Sequence, residues 1–281
     1  MHWLKDDTEY LVQQPLVAFD TETTGLWAPA NKIVEIGAVK FALGGRNIKR
    51  FQSLVNPERP IPPETIEIHG ITDSMVQNAP TVQPVLAEFF EFCGDKSVLI
   101  AHNALFDIGF VGCECDRFEI PMPQNSVLDT VEIFRKYRPG LNSYSLLSLA
   151  TRFKLASEQQ HRAADDAAMV WKLFELVAED FPSLPDEGAF RREFSLHRFD
   201  EWEGETREPP EQYNELITAM ENRLAVTITY QSNGRTPQQR IIHPRRFHYL
   251  RSRHYVTAYC ELAQAERTFR LDRIVSFSLG T

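Results

Sequence analysis

The run Leu16-Val17-Ala18-Phe19 is apolar without interruption, the pattern of a strand buried on both faces of a mixed or parallel sheet, and it stops at Asp20. Residues 33–41 and 51–55 read as the next strands, with a turn at Gly44-Gly45 between them, which predicts an antiparallel meander. In residues 82–93 the apolar side chains Val82, Val85, Leu86, Phe89 and Phe90 fall at helical spacing. A short buried strand over 97–101 follows, then a helix from about Ala104. A further strand is expected around Val127-Leu128, with helices over 130–137, 145–153 and 162–179. Strands alternating with helices after an antiparallel start predict an α/β domain with a mixed sheet flanked by helices.

The pattern changes twice more. Between Phe181 and Tyr213, Pro182, Pro185, Pro209 and Pro210 stand among clustered Glu and Arg with scattered aromatics, which reads as a linker carrying one helical segment. From Leu224 short β-rich runs (226–230, 240–242, 254–260, 267–271, 275–279) are separated by turns such as Ser232-Asn233-Gly234, the pattern of a small all-β barrel. The expected division is therefore 1–180, a linker over 181–212, and a β domain over 213–281.

Composition adds three constraints. The first 14 residues carry Lys5, Asp6, Asp7 and Glu9, and no later run approaches the roughly 18 apolar residues of a membrane span. A soluble cytoplasmic protein is expected. Cys113 and Cys115 form a Cys-x-Cys with no second pair to complete a zinc site, so reduced structural thiols are expected for these, Cys93 and Cys260. The net charge of −9 hides an asymmetry: from Glu211 onward there are ten Arg, no Lys and six Asp or Glu, a net of +4, against −13 for the rest. Carboxylates that bind cations, which in turn bind phosphate, reconcile an acidic half with a nucleic-acid substrate. The all-Arg positive half suits phosphate contacts and base stacking.

The candidate chemistry lies at the ends of the predicted strands. Asp20 and Glu22 are two apart, so both face the same side of the sheet and one metal ion could bridge them. An isolated Asp-x-Glu is more often a solvated turn. Here Thr23-Thr24-Gly25-Leu26 follows, whose small residues let backbone amides approach a ligand. His102-Asn103-Ala104-Leu105-Phe106-Asp107 comes directly after a buried strand. Asn103 in the capping position would place Asp107 about one turn inside the helix, pointing back toward the strand ends. In His161-Arg162-Ala163-Ala164-Asp165-Asp166-Ala167 the His precedes Asp166 by roughly 1.4 turns, so it must sit at or before the helix start. Asp165 faces about 100° away from Asp166 and is expected in solvent. Asp129, after another strand, reads as a helix cap. His69 could line a nucleotide pocket, but packing or capping is at least as good a reading.

Phe19-Asp20-Thr21-Glu22-Thr23-Thr24-Gly25-Leu26, the segment from His102 to Asp107, and His161 with Asp166 together resemble the DEDDh family of 3′→5′ exonucleases. Ile68-His69-Gly70-Ile71-Thr72 and Ser145-Leu146-Leu147-Ser148-Leu149-Ala150 are similar to further family segments. The resemblance covers about residues 12–180. It implies a ribonuclease H-like fold, two Mg²⁺ or Mn²⁺ ions held by Asp20, Glu22, Asp107 and Asp166, and His161 as the general base. It also implies Thr23, His102 and Asn103 near the terminal nucleotide, and 5′-mononucleotides as products. Hard oxygen ligands without Cys agree with Mg²⁺ or Mn²⁺.

From about Tyr213 the chain resembles a WYL domain, a small Sm- or SH3-like barrel. The matching stretches are Ile241-Ile242-His243-Pro244, the run from Arg253 to Cys260, and Arg267-Thr268-Phe269-Arg270-Leu271-Asp272-Arg273-Ile274. The name-giving triplet is replaced here by His254-Tyr255-Val256. Arg245, Arg251, Arg253 and Arg270, interleaved with aromatics, are candidate contacts to nucleic acid or a nucleotide-like ligand. Strand alternation sets Tyr255, Thr257 and Tyr259 against Val256, Ala258 and Cys260, so one of these sets is core.

The expected activity is a metal-dependent exonuclease acting on the 3′ end of a strand, with single-stranded DNA as the expected partner. The alternatives are a regulatory protein that binds 3′ ends, and a proofreading subunit bound to a DNA polymerase.

Overall fold

In the computed structural model, residues 10–44, 46–156, 161–203, 209–231, 236–250 and 253–279 are described. They fall into two compact units, one formed by Met1–Leu26 with Asn31–Trp202, the other by Trp27–Ala30 with Glu203–Thr281.

The first unit is built on a five-stranded sheet of β1 (Leu16–Thr23), β2 (Ile33–Ala42), β3 (Arg46–Leu54), β4 (Val98–Ala101) and β5 (Val127–Asp129), in the order β3-β2-β1-β4-β5. β1 pairs antiparallel with β2 and parallel with β4, and β5 continues the parallel side. The apolar run of β1 thus lies at the sheet centre, where both faces are covered. Helices in chain order are α1 (Tyr10–Gln13), α2 (Pro63–His69), α3 (Asp73–Val76), α4 (Val82–Cys93), α5 (Leu105–Arg117), α6 (Thr130–Tyr137), α7 (Leu146–Arg152), α8 (Ala163–Ala178) and α9 (Glu187–Glu193). α8 covers the face of β1 that carries Leu16 and Ala18, burying Ala167, Val170, Leu173 and Phe174 against them. On the opposite face Phe19 meets Phe89 of α4 and Phe199.

Several elements differ from the sequence reading. β1 runs on past Asp20 to Thr23, through polar residues that its apolar pattern did not announce. β3 starts at Arg46 rather than Phe51, because its outer half pairs with β2 through the backbone (Lys40 opposite Lys49) while its side chains are exposed. An edge strand of that kind carries no apolar alternation. α2 and α3 were not visible in the pattern: they are one or two turns long and bury only a small cluster of Val34, Ile61, Ile71 and Val76. Residues 181–202, read as the start of the linker, pack into the first unit. Asp186 caps α9 by accepting from the Ala189 amide. Phe190 and Phe194 then enter the main core, with Phe194 4.8 Å from Phe181 ring to ring. Val127 of β5 forms an isolated bridge with His197.

The second unit holds α10 (Asn214–Glu221) and the strands β6 (Val226–Tyr230), β7 (Gln238–Leu250), β8 (Arg253–Cys260), β9 (Ala265–Arg270) and β10 (Ile274–Leu279). These form an antiparallel sheet in the order β10-β6-β7-β8-β9. β7 is far longer than the three residues read from the sequence, since it runs on through Pro244 by a register shift between Pro244 and Arg246. Val256, Ala258 and Cys260 are the core set of β8, packed on Leu216, Val226, Ile228 and Phe269; Tyr255 and Tyr259 are half-buried. The turn 232–234 lies outside the described residues. None of the four cysteines is in a disulfide, and all are buried. No helix among the described residues is long and apolar enough to cross a membrane.

Candidate active site

Asp20 and Glu22 occupy the C-terminal half of β1, on the face that α8 covers. Beyond them the β1–β2 ladder slips: Glu22 stands opposite Glu35, while Thr23 stands opposite Ile33. Such an irregularity bends the strand end and re-aims its side chains. α8 brings Asp166, 2% exposed, to the same end of the sheet, and leaves Asp165 in solvent. His161 precedes the helix by two residues, in left-handed backbone (φ 47°) that His tolerates better than most side chains. Ligand atoms of Glu22, His161 and Asp166 all lie within 4.8 Å of one another.

Asp107 arrives from the other side of β1. It lies in the first turn of α5, 2% exposed, where its Oδ1 accepts a 2.7 Å hydrogen bond from the Thr21 hydroxyl. Asn103 does not cap α5. Its backbone is left-handed (φ 64°), Ala104 holds the capping position, and Ala104 makes no side-chain bond there. Asp129 replaces the missing cap from the end of β5, accepting from the amides of Asn103 (3.0 Å), Ala104 (3.2 Å) and Val131 (2.8 Å). One carboxylate thus starts two helices. Asp129→Ala is therefore expected to lower stability by roughly 1–3 kcal/mol, read by urea denaturation, because it leaves three amides without their acceptor.

His102 is half-buried, with Nδ1 2.8 Å from the Thr130 hydroxyl and Nε2 2.9 Å from the Tyr144 carbonyl. Both ring nitrogens are engaged inside the protein. Thr23 is buried and its hydroxyl donates to the Gly25 carbonyl. His69, 3% exposed, accepts from the Ile71 amide through Nδ1, which is a capping contact at the end of α2. Burial holds its pKa below the usual imidazole value, opposed by the Thr23 carbonyl and the Glu35 charge. The packed, capping reading of His69 is the one these contacts carry.

The cluster is electrostatically self-opposed. Asp20 is held well above the usual carboxylate range by burial, then by the charges of Asp107, Asp166, Glu22 and Glu35. Glu22 is pushed up to about 9 by burial and by Asp166, Glu35 and Asp107, with Arg162 pulling the other way. Burial takes Asp107 to about 7 despite the Thr21 hydrogen bond. Oxygen donors that raise one another in this way fit a hard divalent cation, whose charge would reverse the repulsion.

Glu35 was missed in the sequence reading. It lies inside an apolar strand, Ile33-Val34-Glu35-Ile36, and is fully buried. A lone charge in so apolar a run is the signal that could have found it, since a buried carboxylate demands partners.

Comparison with known proteins gives the family. Residues 17–174 match the family model described as RNase_T, exonuclease. The chain belongs to this exonuclease family. The exonuclease domain is 45% identical over 173 residues to a protein of Mycobacterium tuberculosis (strain CDC 1551 / Oshkosh) described as a bifunctional exonuclease/endonuclease, a match over 59% of this chain and 26% of that one. It is 38% identical over 182 residues to the PolC-type DNA polymerase III of Bacillus subtilis (strain 168), over 63% of this chain and 12% of the polymerase. The chain thus spans about a quarter of the first relative and about an eighth of the second. Its fold is shared with a solved 3′-exonuclease that recognises the 3′ end of a histone mRNA stem-loop: TM-score 0.53, 15% identity, 61% of this chain and 84% of that one. Residues 211–279 match the WYL domain.

In the WYL domain the described candidate arginines all have acidic neighbours. Arg245 pairs with Glu266 (3.1 Å), Arg253 with Asp272 (3.3 Å), and Arg270 with the same Asp272 (2.6 Å). These are surface pairs of the weak kind. Arg251 lies outside the described residues.

Proposed function

We propose that the chain is a 3′→5′ exonuclease that hydrolyses the terminal phosphodiester of a DNA strand to release 5′-mononucleotides. The observation that carries this reading is the convergence of Glu22, Asp166 and His161 within 4.8 Å at the end of β1, beside Asp20. Asp20, Glu22, Asp107 and Asp166 would hold two divalent ions, Mg²⁺ or Mn²⁺, which when bound supply Lewis-acid stabilisation of charge on the phosphate oxygens. A ring nitrogen of His161 takes the proton of the attacking water. Thr23 and Asn103 border the terminal nucleotide, and His102, fixed through both ring nitrogens, orients the loop that carries Asn103. Arg245, Arg251, Arg253 and Arg270 contact the strand, or a nucleotide-like ligand, through the net positive charge of the C-terminal module.

The test is a panel of 3′-labelled DNA and RNA strands with Mg²⁺ or Mn²⁺. Label should leave as mononucleotide; Asp20→Ala should stop it, and His161→Ala should slow it by roughly 10²–10⁴-fold while leaving a measurable residual rate. Undiminished 3′-end binding with no release would instead favour a regulatory binding protein. Comparing the whole chain with residues 1–202, which hold all of the first unit and its core, assigns substrate preference to the C-terminal module if preference is lost on truncation. The PolC-type relatives favour a second reading, in which the exonuclease proofreads beside a polymerase. Retention of a replicative polymerase on the immobilised full chain would support it.

A further inference from the structure

Glu35 stands directly across the β1–β2 ladder from Glu22, yet its carboxylate has no room for a cation. A carboxylate offers about four lone-pair positions, and four donors fill them here. Oε1 accepts from Arg162 Nη2 and from Gln52 Nε2 (2.9 Å); Oε2 accepts from Arg162 Nε (3.1 Å) and from the Ala163 amide (2.9 Å). Arg162 is the capping residue of α8 and makes no cap bond of its own, so Glu35 caps that helix from β2. Two residues on, and on the same face of β2, Gly37 lets the helix start touch the strand. A Cβ there would lie 2.1 Å from the Ala163 carbonyl carbon and 2.1 Å from the Ala164 nitrogen. Glu35 and Gly37 together fix residues 162–164 on the sheet.

His161 is the residue immediately before this clamp, in left-handed backbone. A side chain held in a sparsely populated backbone region keeps its place only where the flanking structure over-determines it. We propose that Glu35, acting through the Arg162 guanidinium and the Ala163 amide, is a positioning residue that holds the His161 imidazole against Glu22 and Asp166. The proposal rests on the reading of His161 as the general base.

The full chain is assayed by single-turnover cleavage of a 3′-labelled oligonucleotide at saturating metal. Glu35→Gln keeps the shape but loses the charge-assisted bonds. It should lower the maximal rate by roughly 10²-fold, the cost of a misplaced catalytic group, with KM changed by about twofold or less. In the His161→Ala background the same change should cost under about threefold, because the group it positions is gone. If Glu35→Gln does not fold, Arg162→Ala, at a side chain one-third exposed, is run through the same cycle. Equal losses in both backgrounds, or a raised KM with an unchanged rate, overturn the positioning role while leaving the general base intact. A His161→Ala protein of normal rate overturns the general-base reading instead. The imidazole NMR signals of His161 in metal-free protein give a readout independent of turnover: they should move in Glu35→Gln, and unchanged signals overturn the clamp whatever the rate does.

Discussion

Asp166→Asn is expected to reduce release of the 3′ label by roughly 10²–10³-fold, the scale of losing one preorganised electrostatic element of a site, while making the metal-free protein more stable. Both effects follow from one position. Asp166 is almost fully buried, and its charge is the largest pressing on Glu22 and the second largest on Asp20. Asn has the same outline with one acceptor oxygen and no charge, so a cation loses a ligand while the remaining acids lose a repelling neighbour. Sites built from opposed charges commonly trade stability for function in this way. The check is a rate measurement in Mg²⁺ beside urea denaturation in EDTA. A rate near that of the unaltered protein would remove Asp166 from the metal set, and a less stable metal-free variant would mean that its packing outweighs its charge.

What the chain states openly, and what it hides, follows from how each contact is encoded. α4, α6 and the bounds of α8 were legible to within a residue, because a helix laid on a sheet must carry a long apolar pattern; the start of β1 was legible for the same reason, but its end was read at Asp20, three residues short, because the strand closes on the polar run Asp20-Thr21-Glu22-Thr23. Asp20, Glu22, Asp107, His161 and Asp166 were legible as candidates because each follows or opens such an element. Asn103 misled: an Asn before a helix usually caps it, but here a tertiary acceptor, Asp129, supplies the cap and frees Asn103 to take left-handed backbone. Glu35 was hidden for the opposite reason. Its four partners come from β3, from Arg162 and from the start of α8, and two of those three lie more than 120 residues away, so nothing local announces them. The aromatics at 190 and 194 looked scattered among charges, since their common face appears only once α9 is wound.

Without divalent metal, the protein is expected to lose stability through the acid cluster as pH rises from about 4.5 to about 9, and Glu22→Gln to remove much of that loss. The sign comes from the direction of the shift. Glu22 moves from 4.5 to about 9 in the folded protein and Asp107 from 3.8 to about 7, so between these limits the folded chain binds more protons than the unfolded one. Stability from these groups is complete below the unfolded values and fades as pH climbs through the folded ones. Glu22 is partly exposed, so solvent screening holds its share to about 1–2 kcal/mol, or about 2–8 °C in Tm. Because other groups titrate in the same range, the measurement is the difference in Tm between Glu22→Gln and the unaltered protein in EDTA, at pH 5 and at pH 8.5. The variant should match the unaltered protein at the lower pH and melt higher at the upper one. Divalent metal should reverse the ranking: it binds deprotonated carboxylates, so the stabilisation it gives the unaltered protein grows over the same pH window. A Tm difference independent of pH would show that the four acids do not repel one another as their burial and spacing require.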